Sequence, residues 1–210
     1  KTVKVPNATV IYNGQAIDEE DFEKLTNTKG DFDMFLTPTA GTITITDYDN
    51  DGEYDAVFVD KYETMLVTSA SDDKVIGKID GVSTTISVKD DFGDKTIEVT
   101  KKGDEARVRN LSKNDVASVY RNVGDSNGST VIKFIVTGET VSGKVTSVDD
   151  SDEDEFTLTL DGRDEYLVDK NIQSSISIGN EVTAYLDNFN RIGYIDGASG
   201  VLLDTNEKYG

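Results

Sequence analysis

The chain has no cysteine, no histidine and no tryptophan among its 210 residues. Without cysteine there are no disulfides, no thiolate nucleophile and no Cys-ligated zinc or iron–sulfur centre. Without histidine the commonest general base and transition-metal ligand are missing too. Basic residues are scarce: 21 Lys and Arg stand against 41 Asp and Glu, a formal net charge of −20. Nucleic acid and anionic lipid are held by clustered Lys and Arg, so this balance argues against both as partners. Nor is there a run of about 18 apolar residues of the kind a spanning helix needs. No signal peptide is readable at Lys1, and the abrupt start and end are those expected of a mature or excised piece of something longer. Carboxylates, hydroxyls, lysine and tyrosine are what remain for chemistry, and hard, oxygen-ligated cations such as calcium are the cofactors they suit.

What is present is β patterning. Thr42–Thr46, Ile86–Val88, Ile97–Val99 and Phe156–Leu160 alternate with period two, while Ala56–Val59 and Val131–Val136 read as more deeply buried strands. Turn signals separate them: Asn13-Gly14, Asp80-Gly81, Asp125 to Gly128, Asp161-Gly162 and Asp187 to Asn190. One segment reads as a short helix. Asp18 caps it, Glu19, Glu20 and Asp21 suit its positive N-terminus, Phe22 and Leu25 share a face, and Asn27 and Gly30 end it. The expected class is mainly β: tandem small antiparallel barrel or sandwich modules with one short helix near the N-terminus.

A weak internal repeat points to the tandem reading; the alternative is that a β-rich chain throws up such matches by chance. Gly77-Lys78-Ile79 returns as Gly143-Lys144-Val145, and Asn114-Asp115-Val116 as Asn180-Glu181-Val182, both 66 residues on. An apolar residue (Leu111; Ile178) precedes the second motif in each copy and a tyrosine (Tyr120; Tyr185) follows it. The division expected from this is a lead segment over 1–70, a first small barrel over 71–140, a second over 141–197, and a tail or linker over 198–210. The alternative is that the lead segment and the first barrel share one core.

One motif carries chemistry. Asp47, Asp49, Asp51, Gly52, Glu53 and Asp55 spell D-x-D-x-D-G-x-x-D, the first nine positions of an EF-hand-type calcium loop. Alternate side chains of a tight loop converge, so Asp47, Asp49 and Asp51 point at one centre. Gly52 permits the sharp turn, Glu53 offers its carbonyl, and Asp55 binds directly or through water. Position 12, where a bidentate Glu belongs, is Phe58, and the flanks are strands. The expectation is therefore weakly bound calcium, with a Kd on the order of 10⁻⁴ to 10⁻³ M. The alternative is a metal-free acidic turn, whose mutual repulsion solvent screening makes tolerable.

Other constellations read as scaffold. Asp149 to Glu155 reads as a solvated charged loop, with a second cation site as the alternative, Asp90 to Asp94 and Asp187 to Asn190 are hairpin turns, and the nine Tyr and eight Phe sit mostly at strand positions, as packing residues rather than a sugar platform. Paired carboxylates can cleave glycosides, but no cleft-forming pattern is present. The sequons at Asn7, Asn110 and Asn127 carry little weight on their own.

The segment Thr42 to Thr64, TITITDYDNDGEYDAVFVDKYET, resembles a stretch common in large surface proteins of Clostridia and related Firmicutes. Leu111 to Tyr120, Val141 to Val145 and Ile178 to Leu186 follow in the order found there, and Lys208-Tyr209-Gly210 is similar to the start of the segment that continues those proteins. That group carries S-layer homology (SLH) domains, which hold it to cell-wall polysaccharide. The resemblance implies the extracellular spacer region of SLH-domain proteins, at the bacterial cell surface or wall and without catalytic activity. No SLH repeat is readable in this chain, so wall anchoring is not assigned to its residues. The leading expectation is thus a non-enzymatic, calcium-stabilised spacer or assembly subunit, whose partners are neighbouring modules of its parent protein or copies of itself. The alternatives are a binding module for cell-wall glycan or a protein partner, and an appendage or phage structural protein.

Overall fold

The computed structural model describes residues 8–18, 38, 40–124, 129–151, 156–169, 172 and 176–196. They form fifteen strands: β1 (Thr9–Tyr12), β2 (Gln15–Ile17), β3 (Gly41–Thr46), β4 (Ala56–Ala70), β5 (Lys74–Ile79), β6 (Val82–Ser87), β7 (Thr96–Lys101), β8 (Asp104–Glu105), β9 (Val116–Arg121), β10 (Val131–Val136), β11 (Thr140–Asp149), β12 (Phe156–Leu160), β13 (Asp164–Val168), β14 (Glu181–Leu186) and β15 (Ile192–Asp196). A single 3-10 turn, Val108–Asn110, is the one helical element among them. The chain is mainly β, as its alternating runs predict. The expected helix lies outside the described residues from Glu19 onward, as do the tail 198–210, the turn 125–128 and the sequons at Asn7 and Asn127.

By its internal contacts the chain divides into two compact units, one of residues 1–63, 90–98 and 119–133 and the other of 64–89, 99–118 and 134–210. In the first, β1 lies between β2 and β4. It runs antiparallel to β2 through the Asn13-Gly14 turn and parallel to β4, Thr9 opposite Ala56 and Tyr12 opposite Val59. Both turn residues have positive φ, 45° and 81°, which Asn and Gly adopt most cheaply. β3 covers the other edge of β4 antiparallel, Gly41 opposite Lys61 and Thr46 opposite Ala56. Alternate residues of β1 and β4 face inward, so Val10, Tyr12, Ile17, Val57 and Val59 make the core of this unit. Gly41 allows the close approach: a Cβ there would lie 1.8 Å from the Asp60 carbonyl oxygen.

β5 joins β4 and β6 in an antiparallel meander in the second unit, and in hydrogen-bonded order β4 is followed by β9, β10, β7 and β8. β11 to β15 close a five-stranded barrel in the order β11-β12-β13-β15-β14, antiparallel except where β13 meets β15 at Val168 and Ile192. A meander of three strands and a hairpin, closed by a parallel contact between the third and fifth strands, is a Greek-key barrel of the OB type. Its interior is filled by alternate residues, among them Val145, Phe156, Leu158, Leu160, Val182, Ala184, Leu186 and Ile192.

Two places in the second unit share a backbone geometry, at positions other than those matched by the sequence repeat. The Val67 N–H bonds the Asp115 carbonyl (2.9 Å) and the Asn114 N–H bonds the Val67 carbonyl (2.9 Å). Val145 does the same with Asn180 (2.9 Å) and Gly179 (2.8 Å). Each valine opens a bulge, Val67 to Ser69 against β5 and Val145 to Ser147 against β12. The matching residues are thus Val67-Thr68-Ser69 with Val145-Thr146-Ser147, and Asn114-Asp115 with Gly179-Asn180. Gly77, in β5, and Gly143, in β11, occupy different strands of the two arrangements.

Candidate metal centre

The acidic loop spans the β3–β4 hairpin, whose ladder ends at Thr46 and Ala56. The Asp55 N–H bonds the Thr46 carbonyl (2.9 Å), and the Asp55 carbonyl accepts the Thr9 N–H (2.8 Å), so the base of the loop is tied to two strands. Asn50 and Gly52 take positive φ, 59° and 94°, and curl the chain between them. Each aspartate then accepts backbone N–H groups of the loop. Asp47 takes Asn50 (2.7 Å) and Gly52 (3.1 Å), Asp49 takes Asp51 (3.2 Å), Asp51 takes Glu53 (2.8 Å) and Asp55 takes Tyr48.

Of the five residues singled out by the spacing, the fold brings three together. Asp47, Asp49 and Asp55 each place one carboxylate oxygen within 4.8 Å of the others. Two oxygens bound to one calcium at about 2.4 Å lie at most about 4.8 Å apart, so this spacing fits an all-oxygen site for a hard cation. Asp51 and Glu53 are not in that group; with Tyr48, Tyr54 and Thr9 they line an open depression beside it. Phe58, at the position where a calcium loop closes with Glu, lies in β4 opposite Thr44 and Ile11. Tyr48 is 65 % exposed, so the rim of the loop is aromatic as well as acidic.

The loops read as plain turns hold more than turn chemistry. Asp90 is a simple case: its Oδ1 accepts the Gly93 (2.7 Å) and Asp94 (3.0 Å) N–H groups. Asn13 is 1 % exposed, and its side chain donates to the Lys61 (3.0 Å) and Arg121 (2.7 Å) carbonyls while accepting the Lys61 N–H (2.8 Å). It therefore serves β4 and β9 at once. Beside it, Arg121 makes a forked ion pair with Glu63 (2.7 and 3.3 Å). In the barrel unit, Asp187 is 1 % exposed and accepts the Phe189 and Arg191 N–H groups (2.8 and 2.9 Å) and the Thr64 hydroxyl (2.7 Å). The adjacent Asn188 N–H donates to the Ser118 hydroxyl (3.0 Å). The β14–β15 turn is thus bonded to β4 and β9. Apart from Phe189 and Arg191, the partners of Asn13, Arg121, Asp187 and Asn188 lie far away in sequence, so the sequence showed the Asn13-Gly14 and Asp187–Asn190 turns but not these bonds.

Tyr12, Tyr62 and Tyr120 hold their protons more tightly than ordinary tyrosines. In each, burial is the main cause, and nearby carboxylates (Glu63 for Tyr12, Asp60 for the other two) add to it. Among the described residues no helix is long and apolar enough to cross a membrane. Compared with known proteins, the chain matches no family model and no curated protein.

Proposed function

We propose that this chain is a non-catalytic structural module of a bacterial cell-surface protein, a spacer or assembly subunit stiffened by calcium at the β3–β4 hairpin. The observation that carries the reading is the convergence of Asp47, Asp49 and Asp55 on one centre at the end of that hairpin. Three carboxylate oxygens gathered on a backbone-braced loop repel one another, and a divalent cation converts that cost into a cross-link between β3, β4 and the start of β1. Asp47, Asp49 and Asp55 would supply side-chain oxygens, and Glu53 its carbonyl. The resemblance to SLH-domain surface proteins supports an extracellular setting, where calcium is plentiful. The paired bulges at Val67 and Val145, with the same hydrogen bonds to Asp115 and Asn180, support tandem modules that arose by duplication.

The test is thermal unfolding in EDTA and then in about 10 mM calcium. A Kd of about 10⁻⁴ to 10⁻³ M corresponds to roughly 1.4–2.7 kcal/mol of stabilisation at that concentration. For a chain of this size that is a rise in Tm of about 3–10 °C. Asp49→Asn is expected to abolish the rise. No shift in the parent protein, or the same shift in Asp49→Asn, sinks the calcium reading.

A further inference from the structure

We infer that the second unit carries a binding cleft for a neutral saccharide, lined by Tyr185 and Tyr194 of the barrel; this goes beyond the structural role proposed above and does not depend on calcium. The alternation of β14 sends Val182, Ala184 and Leu186 into the barrel core, which leaves Tyr185 on the outer surface. Tyr194 of β15 is its direct cross-strand partner. Their rings lie 5.4 Å apart between centroids and are tilted by 46°, half-buried rather than swallowed by a core. They form one wall of a cavity of 320 Å³, within the range of about 300–1,000 Å³ usual for small-molecule sites.

The rest of the lining decides the class of ligand. Lys102 and Lys113 bring two ammonium groups, and Asp115, Glu139 and Asp196 bring three carboxylates, of which Asp115 is paired with Lys101 (2.6 Å) and accepts the Ser112 N–H (2.8 Å). An anion would meet the carboxylates and a cation the lysines. A sugar ring avoids both conflicts, because each hydroxyl donates and accepts, while its C–H face stacks on an aromatic ring. The aliphatic chain of Lys102, an exposed residue, lies beside Gly138, where a Cβ would come within 2.8 Å of its Cε. Gly138 has φ 70°, a conformation that glycine adopts most cheaply.

The experiment is a two-dimensional NMR titration of the whole chain with methyl β-glucoside and N-acetylglucosamine trimer as neutral probes, and glucuronate and glucosamine as charged ones, in EDTA and in calcium. A neutral probe is expected to shift resonances of Tyr185, Tyr194 and Gly138 equally in both conditions. Tyr194→Ala and Glu139→Gln are each expected to weaken binding at least about tenfold, a loss of about 1.4 kcal/mol. Glu139 is exposed, so its variant tests the cleft without disturbing the barrel. Shifts confined to Tyr48 and Tyr54, binding of a charged probe alone, or no shift with any probe would overturn the assignment. Loss of the calcium-induced rise in Tm leaves it standing, so the two readings fail separately.

Discussion

The bond between Thr64 and Asp187 is expected to be among the most costly single contacts to remove from the barrel unit. Thr64 is 2 % exposed and donates its hydroxyl to the Asp187 carboxylate at 2.7 Å. A hydrogen bond to a charged group contributes about 1.5–3 kcal/mol, and a buried acceptor left short of a donor loses its water without replacement. Thr64→Val keeps the volume and removes the donor, so it should cost about 2 kcal/mol, or about 4–8 °C in Tm for a chain of this length. Asp187→Asn keeps an oxygen for the Phe189 and Arg191 N–H groups and turns an amide toward Thr64, whose hydroxyl then accepts. The two substitutions therefore should not add. A cycle of the four proteins, followed by urea unfolding with both far-ultraviolet dichroism and tyrosine fluorescence, should show a coupling of about 1–2 kcal/mol. Thr64→Ser, which keeps the hydroxyl, is the control. A coupling under about 0.5 kcal/mol, or a Thr64→Ser variant as unstable as Thr64→Val, would refute the argument that the bond matters.

Two further outcomes follow from the first unit. Asn13→Gly satisfies the φ of 45° without strain but deletes three buried hydrogen bonds, so it should cost about 3 kcal/mol in urea unfolding, whereas a neutral result would mean that Asn13 is there only for its backbone. Tyr12, Tyr62 and Tyr120 bind their protons more tightly folded than unfolded, so the stability they contribute is complete below about pH 10 and lost as pH rises past it. Absorbance at alkaline pH should show these three of the nine tyrosines ionising last and together with unfolding; Tyr12→Phe and Tyr120→Phe should flatten the alkaline loss of stability.

Much of the β architecture was legible because it is local. The period-two runs at Thr42–Thr46 and Phe156–Leu160 appear as β3 and β12, and Asn13-Gly14, Asp80-Gly81 and Asp161-Gly162 are turns with positive φ at both residues. The acidic spacing located a loop on which three carboxylates meet. It could not say that Asp51 would stand outside the group, since that depends on which N–H each carboxylate takes, and Asp51 takes that of Glu53. The buried polar residues were illegible for a different reason. Asn13 and Arg121 are 108 positions apart, and Thr64 and Asp187 are 123 apart, so neither partner marks the other in the sequence.

The two places of shared backbone geometry show why letters mislead where roles do not. Identity aligned Asn114 with Asn180, but Asn114 has φ 69° and its counterpart in the barrel is Gly179, with φ 98°. Asparagine and glycine are the two residues that enter this region most cheaply, so either can fill the position. The following residue, Asp115 or Asn180, accepts the N–H of the serine three places before it, Ser112 (2.8 Å) or Ser177 (3.1 Å). An acid and an amide thus make the same turn, and each then lends its carbonyl to the valine at a strand bulge. A comparison that scores turn-forming positions by φ and acceptor type would pair these residues 65 apart and the valines 78 apart. Matching identical letters at one constant offset cannot, because the hairpin and loop lengths between those points differ.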